Sequence, residues 1–467
     1  MPASVRVGPG KGGIMRLRTM KGVAVSLATA LALVGCCLFA ACASAGEPGS
    51  AAVESHAVAQ PSLPEKLSGD EYEAWMQVRD ENPLDEEFAA SLSAFSYRTA
   101  ASVLGEQAEG GIETAGSDSE SEAANSAYSP ISLYFALALA TQGASGQTAD
   151  QMNAVLGAPR VEDVPGQCGN LFRVLASDPD ATVELANSVW MSSEGAFEQG
   201  FVDTATQQFY ATPFSVEFGK PETDEAIAAW IKEATNGMLD PDIRTDASLL
   251  VSIINTAYFK GAWLDRFDAQ NTNEKTFHAE SGDVSAQFMT QRFDTPRSYV
   301  QTERYARATL PFAGGATMSF VLPAEGLRAA DVLADGQLLE EAFSAEASDT
   351  AYLTVSLPKA DFDSSFDLIP PLESLGMSAP FTDEADFSNL TPASAYISSI
   401  DQESHIMWNE EGAEAAAYTN IGISEMSALP EEFDEVEITL DRPFLFEIRS
   451  SQEVPLFIGL CGDPTQD

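Results

Sequence analysis

The side chains able to carry out chemistry are few. His56, His278 and His405 are the only histidines, and Cys36, Cys37, Cys42, Cys168 and Cys461 the only thiols. No Gly-x-x-x-x-Gly-Lys-Ser/Thr phosphate loop occurs, and no Cys-x-x-Cys pair lies outside the first 46 residues. Glu280 follows His278 closely and Ser404 precedes His405, but neither sits in a nucleophile-elbow motif. A Ser-His-Asp site would have to assemble from distant segments. Enzyme chemistry is therefore the least supported reading.

The most unusual stretch runs from Asn409 through Glu410, Glu411, Gly412, Ala413, Glu414, Ala415, Ala416, Ala417, Tyr418, Thr419 and Asn420 to Ile423. At a two-residue period one face is Ala413, Ala415, Ala417, Thr419 and Ile421, small and then apolar. The other is Glu414, Ala416, Tyr418, Asn420 and Gly422. That alternation suits a half-buried strand, and its small side chains would pass between existing strands with little steric cost. Glu-Ala-Ala-Ala is equally good helix text, and alanine has poor strand propensity. Downstream, Met426, Ser427 and Pro430 with Glu431 and Glu432 read as an exposed loop.

Helical spacing predicts helices from Asp85 onward, over 131–142 and 148–156 with Thr148 as N-cap, and over 222–238. Strand-like runs follow at 249–259, 308–312, 317–322, 352–357 and 444–448. Helices early and strands late predict an α+β protein with large, largely antiparallel sheets. Residues 110–124 read as a solvated acidic loop.

The N-terminus reads as a targeting segment. Lys11, Arg16, Arg18 and Lys21 precede an uncharged run over 22–46, the pattern of a secretory signal. Cys36 and Cys42 are lipidation candidates of a bacterial lipoprotein; the run is also long enough for an uncleaved anchor. The expected organisation is a signal over 1–42, a tether and extension over 43–84, and one domain over 85–467. The chain carries 71 acidic and 24 basic groups, and cleavage near Cys42 removes five of the basic ones. Such acidity excludes nucleic acid as a partner and repels acidic lipid. Of the thiols beyond the signal, Cys168 and Cys461 could pair or could both be buried and free.

From Glu86 to Pro464 the sequence resembles the serpins. Asn125-Ser-Ala-Tyr-Ser-Pro-Ile-Ser132 with Gly143-Ala-Ser-Gly-Gln-Thr148 is similar to the family's early signature, and Asn255-Thr-Ala-Tyr-Phe-Lys-Gly-Ala-Trp263 to its central motif. Leu375-Gly-Met377 and Ala385-Asp-Phe-Ser388 resemble the stretch ahead of the reactive loop. Glu411-Gly-Ala-Glu-Ala-Ala-Ala417 resembles an inhibitory hinge, and Arg442-Pro-Phe-Leu-Phe446 the closing strand. Gln402 and Glu403 stand where a His-Lys pair is usual, Ala228 where Asn is frequent, and the segment between Met426 and Pro443 is longer than usual.

The resemblance implies three β-sheets, eight to nine helices and an exposed reactive-centre loop. It implies a protease inhibitor that acts as a suicide substrate, with no cofactor, no metal and a monomeric chain. A serine protease would attack the loop, and the cut loop would enter the central sheet as a new strand. Counting from Glu410, family spacing puts the reactive bond between Met426 and Ser427, which suits elastase-, chymotrypsin- or subtilisin-like targets. It implies a sheet-opening cluster of Ser129, Ser132, Asn255 and Gln402, with Trp263 and Glu410 near the upper opening. A non-inhibitory binding or carrier protein of the same fold is the alternative.

Overall fold

Alternation along the strands and a few all-apolar helices decide the architecture of this computed structural model, which describes residues 56–108, 125–179, 182–413 and 433–466. Cys36 and Cys42, the acidic loop, and Glu414, Ala415, Ala416, Ala417, Thr419, Met426 and Ser427 lie outside the described residues.

Ten α-helices occur among the described residues: α1 (Tyr72–Glu81), α2 (Glu86–Ala108), α3 (Pro130–Gly143), α4 (Gly146–Leu156), α5 (Val164–Ala176), α6 (Gln199–Gln208), α7 (Pro221–Ala234), α8 (Ala329–Leu333), α9 (Gly336–Ser344) and α10 (Ile369–Ser374). The strands are β1 (Asn125–Tyr128), β2 (Thr182–Ser192), β3 (Ala211–Val216), β4 (Val251–Ala262), β5 (Asn273–Ala279), β6 (Gly282–Arg292), β7 (Arg297–Gln301), β8 (Tyr305–Pro311), β9 (Thr317–Pro323), β10 (Asp349–Pro358), β11 (Ala360–Asp367), β12 (Asp401–Trp408), β13 (Gly412–Ala413), β14 (Glu435–Thr439), β15 (Phe444–Arg449) and β16 (Pro455–Cys461).

Ten strands form a path ordered β1-β16-β15-β9-β8-β7-β10-β6-β5, with β14 beside β10. The path changes partner along β10: Asp349 to Ala351 pair with β7, and Thr354 to Pro358 pair with β6. It therefore behaves as two sheets joined at one strand. The third sheet runs β11-β12-β13-β4-β2-β3. Among the described residues only β2–β3 and β10–β14 are parallel pairs.

Helix α3 is apolar on nearly every side and is buried accordingly; Ile131, Leu133, Tyr134, Phe135 and Leu137 are all at most 2% exposed. Helix α7 is amphipathic instead. Its Ala226, Ile227 and Ile231 pack with Trp190, Phe214, Val216 and Phe218 as a separate apolar cluster. Trp190 and Phe214 stack at 4.1 Å.

Two sequence expectations need correction. Thr148 is not the N-cap of α4, which starts after Ser145; its hydroxyl instead accepts from the Asp386 N–H at 2.9 Å. The later part of the expected tether is clasped to the domain. Ala57 bridges Phe214 on the free edge of β3, with Val58 N–H donating to Pro213 O (2.8 Å) and Ser215 N–H to His56 O (2.9 Å). Lys66 donates to the Asp178 carbonyl. Trp75 is 2% exposed and its indole N–H donates to Val174 O at 3.2 Å. Main-chain pairing to an edge strand leaves no side-chain periodicity to read.

Candidate functional site: a strand slot and its hinge

Strand β12 alternates with little exception. Gln402, Ser404, Ile406 and Trp408 are buried, while Asp401 and Glu403 reach solvent. After Trp408 the chain reverses through Asn409 to Gly412. Asn409 N–H donates to Gly412 O (2.9 Å), Gly412 N–H to Asn409 O (3.3 Å), and Glu411 N–H to Asn409 Oδ1 (2.9 Å). Two residues then pair on both sides. Ala413 stands opposite Trp408 of β12 and Gly261 of β4, and Gly412 opposite Ala262. Gly412 has φ of +154°, and a Cβ there would overlap the Gly261 carbonyl oxygen. Only glycine fits that position.

Beneath this rung the sheet is incomplete among the described residues. Residues 251–260 of β4 pair only with β2, and residues 401–407 of β12 pair only with β11. Each strand therefore turns one row of backbone donors and acceptors toward a position that could hold another strand. Ala413, 4% exposed, occupies the top of that position.

Trp263 fixes the turn above the slot. Its ring stacks on Phe312 at 4.4 Å, its indole N–H donates to Asn409 O (2.9 Å), and its backbone N–H donates to Glu411 O (2.9 Å). Phe267 N–H donates to Glu410 O at 3.1 Å. The Glu410 carboxylate accepts from the Thr272 hydroxyl (2.7 Å) and pairs with Lys359 (3.0 Å). Partial burial opposes its ionisation, but the Thr272 hydroxyl, a backbone N–H and the Lys359 ammonium together hold it below the usual glutamate range. Glu411 pairs with Arg266 at 2.5 Å.

Lower in the slot, Ser129, Ser132, Asn255 and Gln402 come together. The Gln402 amide grips both backbone groups of Ser129, accepting from N–H at 2.8 Å and donating to O at 3.0 Å. Ser129 Oγ donates to Leu456 O (2.9 Å) and Ser132 Oγ to Asn255 O (3.3 Å). Asn255 donates from its amide to Asn187 Oδ1, and Asn187 in turn to Phe209 O. Asn255 Oδ1 and Thr256 Oγ1 are buried without a hydrogen-bond partner among the described residues.

Sequence reading missed Lys359, Thr272, Arg266 and Asn187. Asn187 reaches the site across strand register, and Lys359, Thr272 and Arg266 reach it from turns between strands, so no local spacing marks them. His405 is placed by the same register opposite Asp363, with Nδ1 2.7 Å from Asp363 Oδ1 and Nε2 3.4 Å from Asp361 Oδ1. His278 lies 2.7 Å from Asp283. Cys168 and Cys461 are free and buried, and burial pushes both thiols up. Among the described residues no group of three or more His, Cys, Asp or Glu could hold a metal ion.

Among the described residues, β4 and β12 meet only through the seated hinge of β13, and the strands below it have no partner on their facing edges. The chain belongs to the serpin family: residues 114–464 match the family model described as Serpin (serine protease inhibitor). It is 30% identical over 368 residues to Serpin-ZXA of Oryza sativa subsp. japonica, covering 73% of this chain and 90% of that one. It is 31% identical over 374 residues to Serpin-ZX of Hordeum vulgare, covering 74% and 92%. Among solved structures it is similar to the thermophilic serpin tengpin in its native state, with a TM-score of 0.68 and 26% identity over 82% of this chain and 95% of tengpin.

Proposed function

We propose that this serpin is an inhibitor that acts as a suicide substrate of serine proteases with a medium-sized apolar specificity pocket, elastase-, chymotrypsin- or subtilisin-like. The observation that carries the reading is Ala413 seated between β12 and β4 above two strand edges that have no partner among the described residues. In the inserted state the same register would put Ala415 opposite Ile406 and Phe259, Ala417 opposite Ser404 and Ala257, and Thr419 opposite Gln402 and Asn255. Ile406, Ser404 and Gln402 are all buried, so the arriving side chains must be small and uncharged. Thr419 would bring a hydroxyl beside Asn255 Oδ1, which has no donor among the described residues.

The reactive bond in this reading joins Met426 to Ser427. The protease serine esterifies the Met426 carbonyl, and the Ser427 amine leaves. Insertion then draws the ester-linked protease along the sheet. Losing one oxyanion-hole donor costs roughly 10²–10³ in rate, so modest distortion stalls deacylation. The reading also takes the chain to be exported, monomeric and lipid-anchored at the cell surface through Cys36 or Cys42, on the strength of the basic-then-apolar N-terminus. Mixing the protein with elastase-, chymotrypsin- and subtilisin-like enzymes and running denaturing gels tests the mechanism. A covalent band supports it; cleavage without a covalent band assigns the chain to the carrier class.

A further inference from the structure

We propose that Arg266 is a positioning residue that keeps the hinge seated in the slot before any protease arrives. The inference rests on the insertion reading and adds a residue to it. Arg266 lies in the turn that follows β4, the strand forming one bank of the slot. Its Nη1 is 2.5 Å from Glu411 Oε2, two residues before the seated Ala413. Lys359, at the junction between β10 and β11, holds the neighbouring Glu410 from the other bank at 3.0 Å. The short turn of residues 409–412 is thus gripped by a cation from each side of the opening.

The turn carrying Arg266 is itself firmly held. Leu264 N–H donates to Pro311 O at 2.9 Å, and Asp265 pairs with Arg297. Arg297 is 19% exposed and its guanidinium lies 4.8 Å from the Phe293 ring centroid. A guanidinium on such a support can restrain the chain it grips. The Glu411 backbone is tied by the Trp263 N–H and Asn409, and Arg266 adds an ion pair that fixes its side chain, so that both glutamates ahead of Gly412 and Ala413 are anchored.

Seating matters because the first rung is the costly one. Each later rung adds two ladder hydrogen bonds to a chain end already in place, whereas the first must bring that end in. An unseated hinge therefore loses time against deacylation, although the reactive bond is cut as quickly as before. The ion pair is partly exposed, so its own weight is small. The expected consequence is roughly a fivefold change in partition between trapping and release.

The test uses the full chain, Arg266→Glu, and the double variant Arg266→Glu/Glu411→Arg, with a subtilisin-like protease found to be trapped by the parent. Two quantities are measured: inhibitor molecules consumed per protease inactivated, and the rate of loop cleavage. Arg266→Glu should raise the first several-fold and leave the second unchanged. The double variant should return the first to within about twofold of the parent, because the pair is restored with its charges exchanged. A purely structural role for Arg266 would lower the melting temperature of the uncleaved protein and would not be rescued by the exchange. Unchanged or lower consumption in Arg266→Glu, or no rescue, overturns the assignment while leaving the insertion mechanism standing. If the parent forms no covalent complex with any protease, the mechanism fails and this role fails with it.

Discussion

Replacing Ala413 by arginine interrogates the slot most directly. The Ala413 methyl group shares a face with Trp408, which is 1% exposed, and with Gly261, where an added Cβ would itself press on Phe259 and Phe312. A guanidinium at this position has no assured counter-charge on that face. Leaving a charge buried and unpaired costs several kcal/mol, so the hinge should leave the slot rather than bury it. Only ~1.4 kcal/mol on the insertion barrier slows that step tenfold, while deacylation by the protease is untouched. Ala413→Arg should therefore still be cut after Met426 but release active enzyme, with consumption per trapped protease rising tenfold or more. Residual protease activity titrated against inhibitor, beside a denaturing gel, reads both outcomes. Glu414→Arg, on the opposite face of the same two-residue period, is the control and should do far less. Equal effects of the two substitutions would refute the register on which the whole mechanism stands.

Cleavage near Met426 should raise the melting temperature sharply, because the inserted strand completes two ladders at once; calorimetry before and after limited proteolysis checks it, and an unchanged transition would mean that the loop stays out. Peroxide should slow protease association by making Met426 polar, and Met426→Leu should resist that treatment; equal sensitivity of both proteins would move the reactive bond elsewhere. Asp401 and Glu403 have their carboxyls pushed up, first by partial burial, then by Asp367 at Asp401 and by Asp363 and Asp401 at Glu403. A raised carboxyl binds protons more tightly when folded, so stability should be gained as pH falls through the folded values and lost above them. Asp401→Asn/Glu403→Gln should flatten the pH dependence in urea melts from pH 4 to 8, and a steeper dependence in the double variant would contradict the carboxylate repulsion.

Much of the fold was legible because the elements around the slot are simple in sequence. The strand run over 249–259 anticipates most of β4, and the run over 131–142 anticipates α3, since an apolar helix needs no partner to be recognised. Residues 164–176 and 199–208 went unread. Val164-Pro-Gly-Gln opens α5 with poor helix formers, and Gln199 to Gln208 is polar on most faces. Within the site, Ser129, Ser132, Asn255 and Gln402 could be placed together from motif resemblance. Lys359 and Arg266 could not, because they lie in turns that only the folded chain brings beside the hinge. At the start of the small-residue segment Gly412 and Ala413 pair with β4, which the close approach of Gly412 to Gly261 requires, and the residues after Ala413 lie outside the described residues.

The position of β16 has a consequence for how the polypeptide comes into being. Asn125 near the beginning pairs with Cys461 near the end, and β15 lies on the other side of the same strand. During synthesis β1 has no strand partner among the described residues until residues 458–461 have been made. The chain must wait, with the edges of β1 and β15 open, for the strand that closes them. Contacts so distant along the sequence make folding slow. A chain stopped short of residue 455 would never close that gap, however well its helices had formed. Strand β16 thus works as a late clasp: only a polypeptide carried through residues 455–461 can join β15 to β1, formed more than 300 residues earlier.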